Sequence, residues 1–167
     1  RDSTMVVIVA DHGESLGEHD YVGHGRHIYQ NIVRVPFVIR YPKLVPAGLV
    51  VEESALILDV MPTVLDLAVQ RAGAQLHLPF PLEGRNLAPA ILDNKPLEEK
   101  TVYLLAYAGK KGFFPSWFAR LWVDQAALPL RLGRVVGTRK VIWTPTEHRL
   151  EIYDLSKDLY DLAPATP

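Results

Sequence analysis

The sequence contains no cysteine among its 167 residues. This absence excludes a disulfide scaffold, a cysteine-ligated metal and a thiol nucleophile within the chain. An excess of one charge is also missing, because 18 Lys and Arg residues face 19 Asp and Glu residues. The balance excludes a global basic field for nucleic acid and a polybasic membrane anchor. Hydrophobic runs such as Met5–Ala10 fall far short of the roughly 18 residues that span a bilayer.

The composition is otherwise that of a folded domain. Hydrophobic residues make up 49% of the chain and charged residues 22%, which is enough apolar content to bury a core. The chain begins at Arg1, and a hydrophobic run starts only a few residues later. We therefore expect either a processed chain or one portion of a longer protein.

The first part of the chain has an α/β pattern. The β-branched run Thr4–Ala10 lacks polar alternation, which predicts a strand buried on both faces in a parallel sheet. Val35–Arg40 predicts a second strand, and Pro36 marks its start or a sheet edge. Asp59 is the predicted N-cap of a helix that runs to about Gln70.

The second part of the chain has a different pattern. Residues 71–98 are rich in proline and are expected to form a loop, so we divide the chain into residues 1–98 and 99–167. A small antiparallel sheet is predicted after this division. Its four strands are Thr101–Tyr107, Leu132–Val136, Lys140–Thr144 and Leu150–Tyr153, with a turn at residues 137–139.

Two polar residues follow the first predicted strand directly. Ligands of open α/β sheets bind at the carboxyl ends of strands, where Asp11 and His12 lie. A carboxylate and an imidazole suit Ca²⁺, Mn²⁺ or Zn²⁺, although an ordinary turn explains the same residues. His24 lies in a Gly-His-Gly sequence, where it either holds an anionic oxygen or is a surface loop histidine.

Other polar residues near this segment are ambiguous. Glu14 and Glu18 are spaced as on one helix face, and we interpret them as solvated rather than as acid–base partners of His19. Arg26 and His27 either shape a substrate pocket or form a surface pair.

Seven ordered segments resemble the C-terminal half of the sulfatase family, in the alkaline-phosphatase-like superfamily. They are Val-Ala-Asp-His-Gly-Glu-Ser-Leu-Gly-Glu-His (9–19), Gly-His-Gly (23–25), Arg-Val-Pro-Phe-Val-Ile-Arg-Tyr-Pro (34–42), Asp-Val-Met-Pro-Thr-Val-Leu-Asp-Leu-Ala (59–68), Glu-Gly-Arg-Asn-Leu-Ala (83–88), Arg-Lys-Val-Ile-Trp (139–143) and Leu-Glu-Ile-Tyr-Asp-Leu (150–155). The resemblance implies the C-terminal part of an alkaline-phosphatase-like sandwich, with a central, mostly parallel sheet flanked by helices. Residues 1–98 would belong to the catalytic core and residues 99–167 to a small α+β subdomain with antiparallel strands.

The resemblance also implies site roles and a reaction. Asp11 and His12 would hold one divalent metal, with Ca²⁺ expected first and Mn²⁺ or Zn²⁺ as alternatives. His24 stands where many sulfatases have a lysine that touches the sulfate, so it would be catalytic and substrate-binding, with Arg26 and His27 beside it. The family's formylglycine nucleophile arises in a Cys/Ser-x-Pro-x-Arg segment. No such segment occurs in this sequence, so we expect a portion of an enzyme that is inactive by itself, with the N-terminal part elsewhere.

The resemblance leaves other functions open. The first is a phosphoethanolamine transferase or a phosphonate or phosphodiester hydrolase of the same superfamily. The second is a catalytically inactive binding remnant. For the sulfatase, a small-molecule or saccharide sulfate ester is the expected substrate, and the family favours a periplasmic or extracellular location.

Overall fold

The structure is a computed structural model that describes residues 2–73, 80–107 and 129–165. Its strands are β1 (Val6–Val9), β2 (Ser15–Leu16), β3 (Val22–Gly23), β4 (Phe37–Arg40), β5 (Val102–Tyr107), β6 (Pro129–Val136), β7 (Arg139–Thr144) and β8 (Arg149–Asp154). Its α-helices are α1 (Gln30–Val33), α2 (Val60–Ala72) and α3 (Ala88–Asp93).

The chain forms two compact units that are not continuous in sequence. The first unit contains Arg1–Asp11 and Pro36–Glu99, and the second contains His12–Val35 and Lys100–Pro167. The second transition, between residues 99 and 100, lies next to the division made from the sequence. Residues 12–35 nevertheless cluster with the C-terminal strands, so a single cut does not separate the two units. The assignment of residues 1–98 to a catalytic core stays a prediction.

The strands of the first unit form an antiparallel pair. β1 pairs with β4 in a register that places Val6 opposite Arg40 and Val9 opposite Phe37. The described residues contain no parallel pair, which differs from the mostly parallel sheet expected. A parallel neighbour needs a crossover that is usually a full helix, whereas between β1 and β4 the chain forms the four-residue α1, a three-residue 3-10 turn (Glu18–Asp20) and two short strands. The expected burial of β1 on both faces is not observed either, since Ile8 is 57% exposed.

Helix α2 is attached to the following segment through buried polar groups. The predicted N-cap Asp59 directly precedes α2 and is fully buried, but its carboxylate accepts hydrogen bonds from the backbone N–H groups of Leu56 (3.0 Å) and Arg85 (2.6 Å). Thr63 donates its hydroxyl hydrogen to the Asp59 carbonyl at 2.6 Å and accepts from the N–H of Leu87 at 3.0 Å. These bonds tie the start of α2 to the entry of α3, a helix that the proline-rich sequence did not predict.

The second unit is built on a four-stranded antiparallel sheet in the order β5-β6-β7-β8. All four predicted strands are confirmed, and Gly137 with Thr138 forms the tight β6–β7 turn, where Gly137 adopts a left-handed φ of 53°. One face of this sheet carries the core. Its buried residues are Ile28, Tyr29, Ala106, Ile142 and Tyr153. The core therefore joins the segment after β3 to strands whose core residues lie between 77 (Tyr29 to Ala106) and 125 (Ile28 to Tyr153) residues away in sequence.

The fold class is confirmed in its broad form. Helices and strands mix along the described chain, and a small antiparallel sheet occupies the C-terminal part. No α-helix among residues 2–73, 80–107 and 129–165 is long and apolar enough to cross a membrane.

Candidate metal and substrate site

A short reversal of the chain builds the candidate site in the second unit. β2 and β3 pair antiparallel, with Ser15 opposite Gly23 and Leu16 opposite Val22. The pairing brings the residue before β2 next to the residue after β3, which are Glu14 and His24. The buried Ser15 hydroxyl stabilises the reversal, because it lies 2.8 Å from the Tyr21 carbonyl and 3.0 Å from that of Glu18.

Gly13 anchors the start of this segment. Its backbone N–H donates to the Ile32 carbonyl at 2.7 Å, so the chain at residue 13 lies directly against the end of α1. A Cβ atom at position 13 would collide with the carbonyl oxygen of Asn31. Only glycine allows this close approach, and it fixes the backbone on which His12 and Glu14 stand.

His12, Glu14 and His24 form a cluster of metal-ligating side chains. One nitrogen or carboxylate oxygen from each lies within 4.8 Å of the other two. The Nδ1 atom of His24 is 2.9 Å from Oε2 of Glu14, and the rings of His12 and His24 stack with centroids 4.1 Å apart. The His24 and Glu14 side chains are 52% and 46% exposed, so the cluster is open to solvent and to a ligand.

The donor chemistry of this cluster fits a divalent cation. Two imidazole nitrogens and one carboxylate oxygen are ligands that Zn²⁺ and Mn²⁺ accept, whereas Ca²⁺ prefers a shell of oxygens. The Nδ1 atom of His12 lies 2.8 Å from the Gly13 carbonyl. If Nδ1 carries the proton, this bond leaves Nε2 with the lone pair that a metal needs.

A run of rings lies behind the cluster. Tyr21 donates its hydroxyl hydrogen to the His24 carbonyl at 2.8 Å, and its ring stacks on His27 with centroids 4.2 Å apart. His27 in turn lies 5.3 Å from the Tyr29 ring. Burial, together with the Arg131 cation, lowers the pKa of His27 to about 4, so this imidazole is neutral at pH 7.

Tyr29 connects the site segment to the sheet. Its hydroxyl donates to the carboxylate of Glu151, 3.0 Å from Oε1 and 3.1 Å from Oε2. Tyr153 donates to the same Oε1 at 2.9 Å. Burial and the Glu151 carboxylate raise the pKa of Tyr29 to about 12 and also raise that of Tyr153, so both tyrosines stay protonated donors.

A buried ion pair makes a second connection. The Nζ atom of Lys140 lies 2.7 Å from Oδ2 of Asp161 and 3.2 Å from Oε1 of Gln30. The backbone N–H of Gln30 donates to the other oxygen of Asp161 at 3.0 Å. Both charged side chains have no exposed surface. The start of α1 is therefore fixed by groups from β7 and from the C-terminal segment.

The structure brings together two of the residues predicted for the site. His12 and His24 meet in the cluster. Asp11 lies two residues after β1, in the first unit, and directly precedes His12 in the chain. Arg26 is exposed, and its carbonyl accepts a hydrogen bond from Arg131 at 3.0 Å. His27 is half-buried and stacked on Tyr21.

Glu14 is the cluster member that sequence reasoning missed. The helix face expected from the spacing of Glu14 and Glu18 does not form, because β2 and β3 occupy this segment. Glu18 instead accepts from the N–H of Leu16 at 2.8 Å and from the Asn31 amide at 3.3 Å. A strand pattern at Ser15 with glycines at 17, 23 and 25 was the signal for a reversal that brings residues 14 and 24 together.

Comparison with known proteins gives the fold class. A phosphonate monoester hydrolase from Silicibacter pomeroyi matches 98% of this chain and 30% of its own chain, with a TM-score of 0.65 and 21% identity. A Bacteroides thetaiotaomicron sulfatase, described with that organism's metabolism of multiple glycosaminoglycans, gives a TM-score of 0.68 at 21% identity, over 99% of this chain and 33% of its own. These similarities show an alkaline-phosphatase-like fold.

Sequence comparison shows which family of this fold the chain resembles. The Sulfatase family model matches residues 1–70, which confirms the resemblance seen in the motifs. The N-acetylglucosamine-6-O-sulfatase of Bacteroides thetaiotaomicron is 34% identical over 94 residues, which cover 56% of this chain and 15% of that protein. The chain is therefore similar to sulfatases, and it spans at most about a third of the length of these three proteins.

Proposed function

We propose that this chain forms part of a metal-dependent sulfuric ester hydrolase. The observation that carries the proposal is the meeting of His12 and His24 in an open cluster with Glu14. The two histidines come from separate stretches of the segment that resembles the sulfatase site. Their meeting supports the proposal, because an exposed group of nitrogen and oxygen donors suits a bound cation and an anionic ester.

In this proposal Asp11 and His12 are metal ligands. A bound divalent ion would offset negative charge on the transferring group and lower the pKa of the nucleophile. The family resemblance favours Ca²⁺, whereas the histidine donors favour Mn²⁺ or Zn²⁺. Asp11 is proposed as a ligand because it follows β1 and directly precedes His12 in the chain.

The substrate contacts in this proposal are His24, Arg26 and His27. Exposure supports the first two, because His24 and Arg26 both have side chains that a ligand can reach. His27 has a pKa near 4 and would contribute a neutral hydrogen-bonding group rather than a charge. The substrate is a small-molecule or saccharide sulfate ester. The saccharide class is supported by the sulfatase of Bacteroides thetaiotaomicron whose name specifies N-acetylglucosamine.

The nucleophile in this proposal lies outside the 167 residues. The chain has no cysteine, and none of its serines begins a Ser-x-Pro-x-Arg segment from which formylglycine could arise. We therefore expect the chain to show no turnover of an aryl sulfate or of a phosphodiester, with Ca²⁺, Mn²⁺ or Zn²⁺ added. Robust hydrolysis that Asp11→Ala abolishes would contradict this part of the proposal.

A phosphonate monoester or phosphodiester hydrolase is the second candidate. It is supported by the Silicibacter pomeroyi phosphonate monoester hydrolase, whose fold matches 98% of the chain. The test compares hydrolysis of an aryl sulfate and an aryl phosphonate monoester by the complete protein that contains this chain. We expect faster turnover of the sulfate, and preference for the phosphonate would favour the second candidate. Failure to hydrolyse both would favour an inactive binding remnant.

Position 24 offers a matched set of variants for that assay. His24→Ala should reduce turnover, because it removes the group proposed to contact the anionic oxygen. His24→Lys should retain more activity than His24→Ala, since it restores the cation that many sulfatases have at this place. Equal activity of the two variants would remove His24 from the substrate contacts.

A further inference from the structure

We infer that the core face of the four-stranded sheet binds a small monovalent anion of the halide class, held by Arg131, Thr144 and His27. The inference goes beyond the proposed function, because this ligand is neither the metal nor the ester and its two main donors lie on β6 and β7. The anion would balance a buried guanidinium and accept hydrogen bonds from polar atoms that the folded chain buries.

Arg131 is a buried cation with which none of the described carboxylates forms an ion pair. The residue is only 8% exposed. One guanidinium nitrogen donates to the Arg26 carbonyl at 3.0 Å, whereas the buried Nε–H has no hydrogen-bond partner within residues 2–73, 80–107 and 129–165. The buried carboxylate of the same sheet face, Glu151, pairs instead with Arg149 at 3.6 Å and accepts from two tyrosines. A buried charge without a counter-ion is costly, so a negative ion beside Arg131 would stabilise the fold.

Thr144 places a second donor next to Arg131. The β6–β7 register pairs Leu132 with Trp143, so the next pair along these antiparallel strands sets Arg131 opposite Thr144. Side chains of directly opposed residues point to the same sheet face, with Cβ atoms roughly 4.5–5.5 Å apart. Thr144 is 2% exposed, and its hydroxyl has no hydrogen-bond partner in the part of the chain that the structure describes.

His27 supplies a third polar atom beside the same guanidinium. Its ring and the Arg131 guanidinium both lie against the Tyr29 ring, whose centroid is 5.3 Å from that of His27 and 5.7 Å from Cζ of Arg131. The Nδ1 atom of His27 is buried and has no hydrogen-bond partner among the described residues. Burial and the Arg131 cation lower the pKa of His27 to about 4, and a bound anion would offset the second of these causes. An Nδ1–H donated to the anion leaves Nε2 as a neutral acceptor, which agrees with the proposed role of His27.

The chemistry of these atoms favours an anion over a buried water molecule. A guanidinium N–H, a hydroxyl and a ring N–H can all donate to one anion. A water molecule would have to donate its own two hydrogens as well, and it would leave the charge of Arg131 unbalanced. All three atoms are closed to solvent, which suits a monatomic ion better than sulfate or phosphate. One unpaired positive charge calls for a monovalent ion, and chloride fits this description.

The test is a thermal melt of the complete protein that contains this chain, in sodium chloride and in sodium gluconate at the same ionic strength. We expect chloride to raise the melting temperature to a plateau, because an ion that binds only the folded state stabilises it. Arg131→Met should remove the rise. Thr144→Val should weaken the apparent chloride affinity by about tenfold, since it removes a hydrogen bond to a charged group, and Thr144→Ser should restore it. Arg134→Met is the matched control at an exposed position of the same strand and should keep the full rise.

A crystallographic measurement keeps the test decisive if Arg131→Met does not fold. In crystals of the complete protein soaked in sodium bromide, we expect an anomalous bromine peak beside Nε of Arg131 and Oγ1 of Thr144. An ordered water molecule at this place with no anomalous signal would overturn the inference. Equal melting temperatures in the two salts would also overturn it, as would a chloride-dependent rise that Arg131→Met keeps in full.

Discussion

The buried pair Lys140–Asp161 gives the sharpest test of how the site segment is held. Lys140→Met removes the ammonium but keeps most of the side-chain volume. Asp161 then remains fully buried, with the backbone N–H of Gln30 as its hydrogen-bond donor. Burial lowers the pKa of Lys140 and raises that of Asp161, so each charge depends on the other. Removal of one partner from a buried pair costs about 3–5 kcal/mol of unfolding free energy.

That loss is large on the scale of a domain. Unfolding free energies are about 5–15 kcal/mol, and at a urea m-value of about 2 kcal/mol/M the variant's midpoint should fall by roughly 1.5–2.5 M. The assay is urea unfolding followed by circular dichroism, combined with hydrogen exchange of the Gln30 amide. The matched control is Lys157→Met, because Lys157 pairs with Asp154 on the solvent-exposed surface, where water screens the charges, so its removal should leave the urea midpoint nearly unchanged.

A double variant checks the electrostatic reasoning. Lys140→Met with Asp161→Leu removes both charges, and replacement of a buried pair by apolar groups is often neutral. We expect the double variant to be more stable than Lys140→Met alone, with the Gln30 N–H left without its acceptor as the residual cost. The argument would be refuted if the double variant lost as much unfolding free energy as the two single variants, Lys140→Met and Asp161→Leu, lose in sum. A loss of unfolding free energy below about 1 kcal/mol for Lys140→Met would also refute it.

Two other predictions concern the same segment. The folded state holds the pKa of His27 near 4, below the ordinary value of 6.5, so the contribution of this residue to the unfolding free energy is complete above pH 6.5 and is lost as the pH falls towards 4. His27→Gln should therefore make the urea midpoint depend less on pH between 6.5 and 4. An unchanged pH dependence of the midpoint would contradict the lowered pKa of His27. Gly13→Ala should force the chain away from the Asn31 carbonyl and weaken binding of Mn²⁺, one of the metals proposed for this site, by the complete protein. Gly25→Ala, at a position with open space around it, should spare the cluster's contacts and cost only local backbone strain. Equal losses of Mn²⁺ affinity in both glycine variants would show that crowding at position 13 is not the cause.

The sequence was most informative where structure is local. The four C-terminal strands and the β6–β7 turn follow from short alternating runs and a glycine. Pro89 in a proline-rich stretch predicts a loop where helix α3 forms, because proline marks loops and is also tolerated in the first turn of a helix. A run of valine and isoleucine in β1 predicts a strand, but nothing in the run specifies whether its partner is parallel or antiparallel.

The candidate site was predictable only in part, for the same physical reason. His12 and His24 were recognisable from motifs, whereas the contact of Glu14 with His24 depends on a reversal between β2 and β3. The attachment of the segment through Tyr29 to Glu151 leaves no local trace in the sequence, because 122 residues separate the two. Interactions at such separation are set by tertiary packing, which periodicity and turn residues do not report.

This separation has a consequence for how the protein is made. Tyr29 and Gln30 leave the ribosome well before their partners Glu151 and Asp161, which follow 122 and 131 residues later. At a synthesis rate of roughly 5–20 residues per second, about 6–25 s pass between the synthesis of Tyr29 and that of Glu151. During that interval Ile28 and Tyr29 lack the β-sheet that buries them in the folded protein. The site is thus completed only after Glu151 and Asp161 have been synthesised, and any shortened product that stops before Glu151 carries His12 and His24 without the structure that orders them.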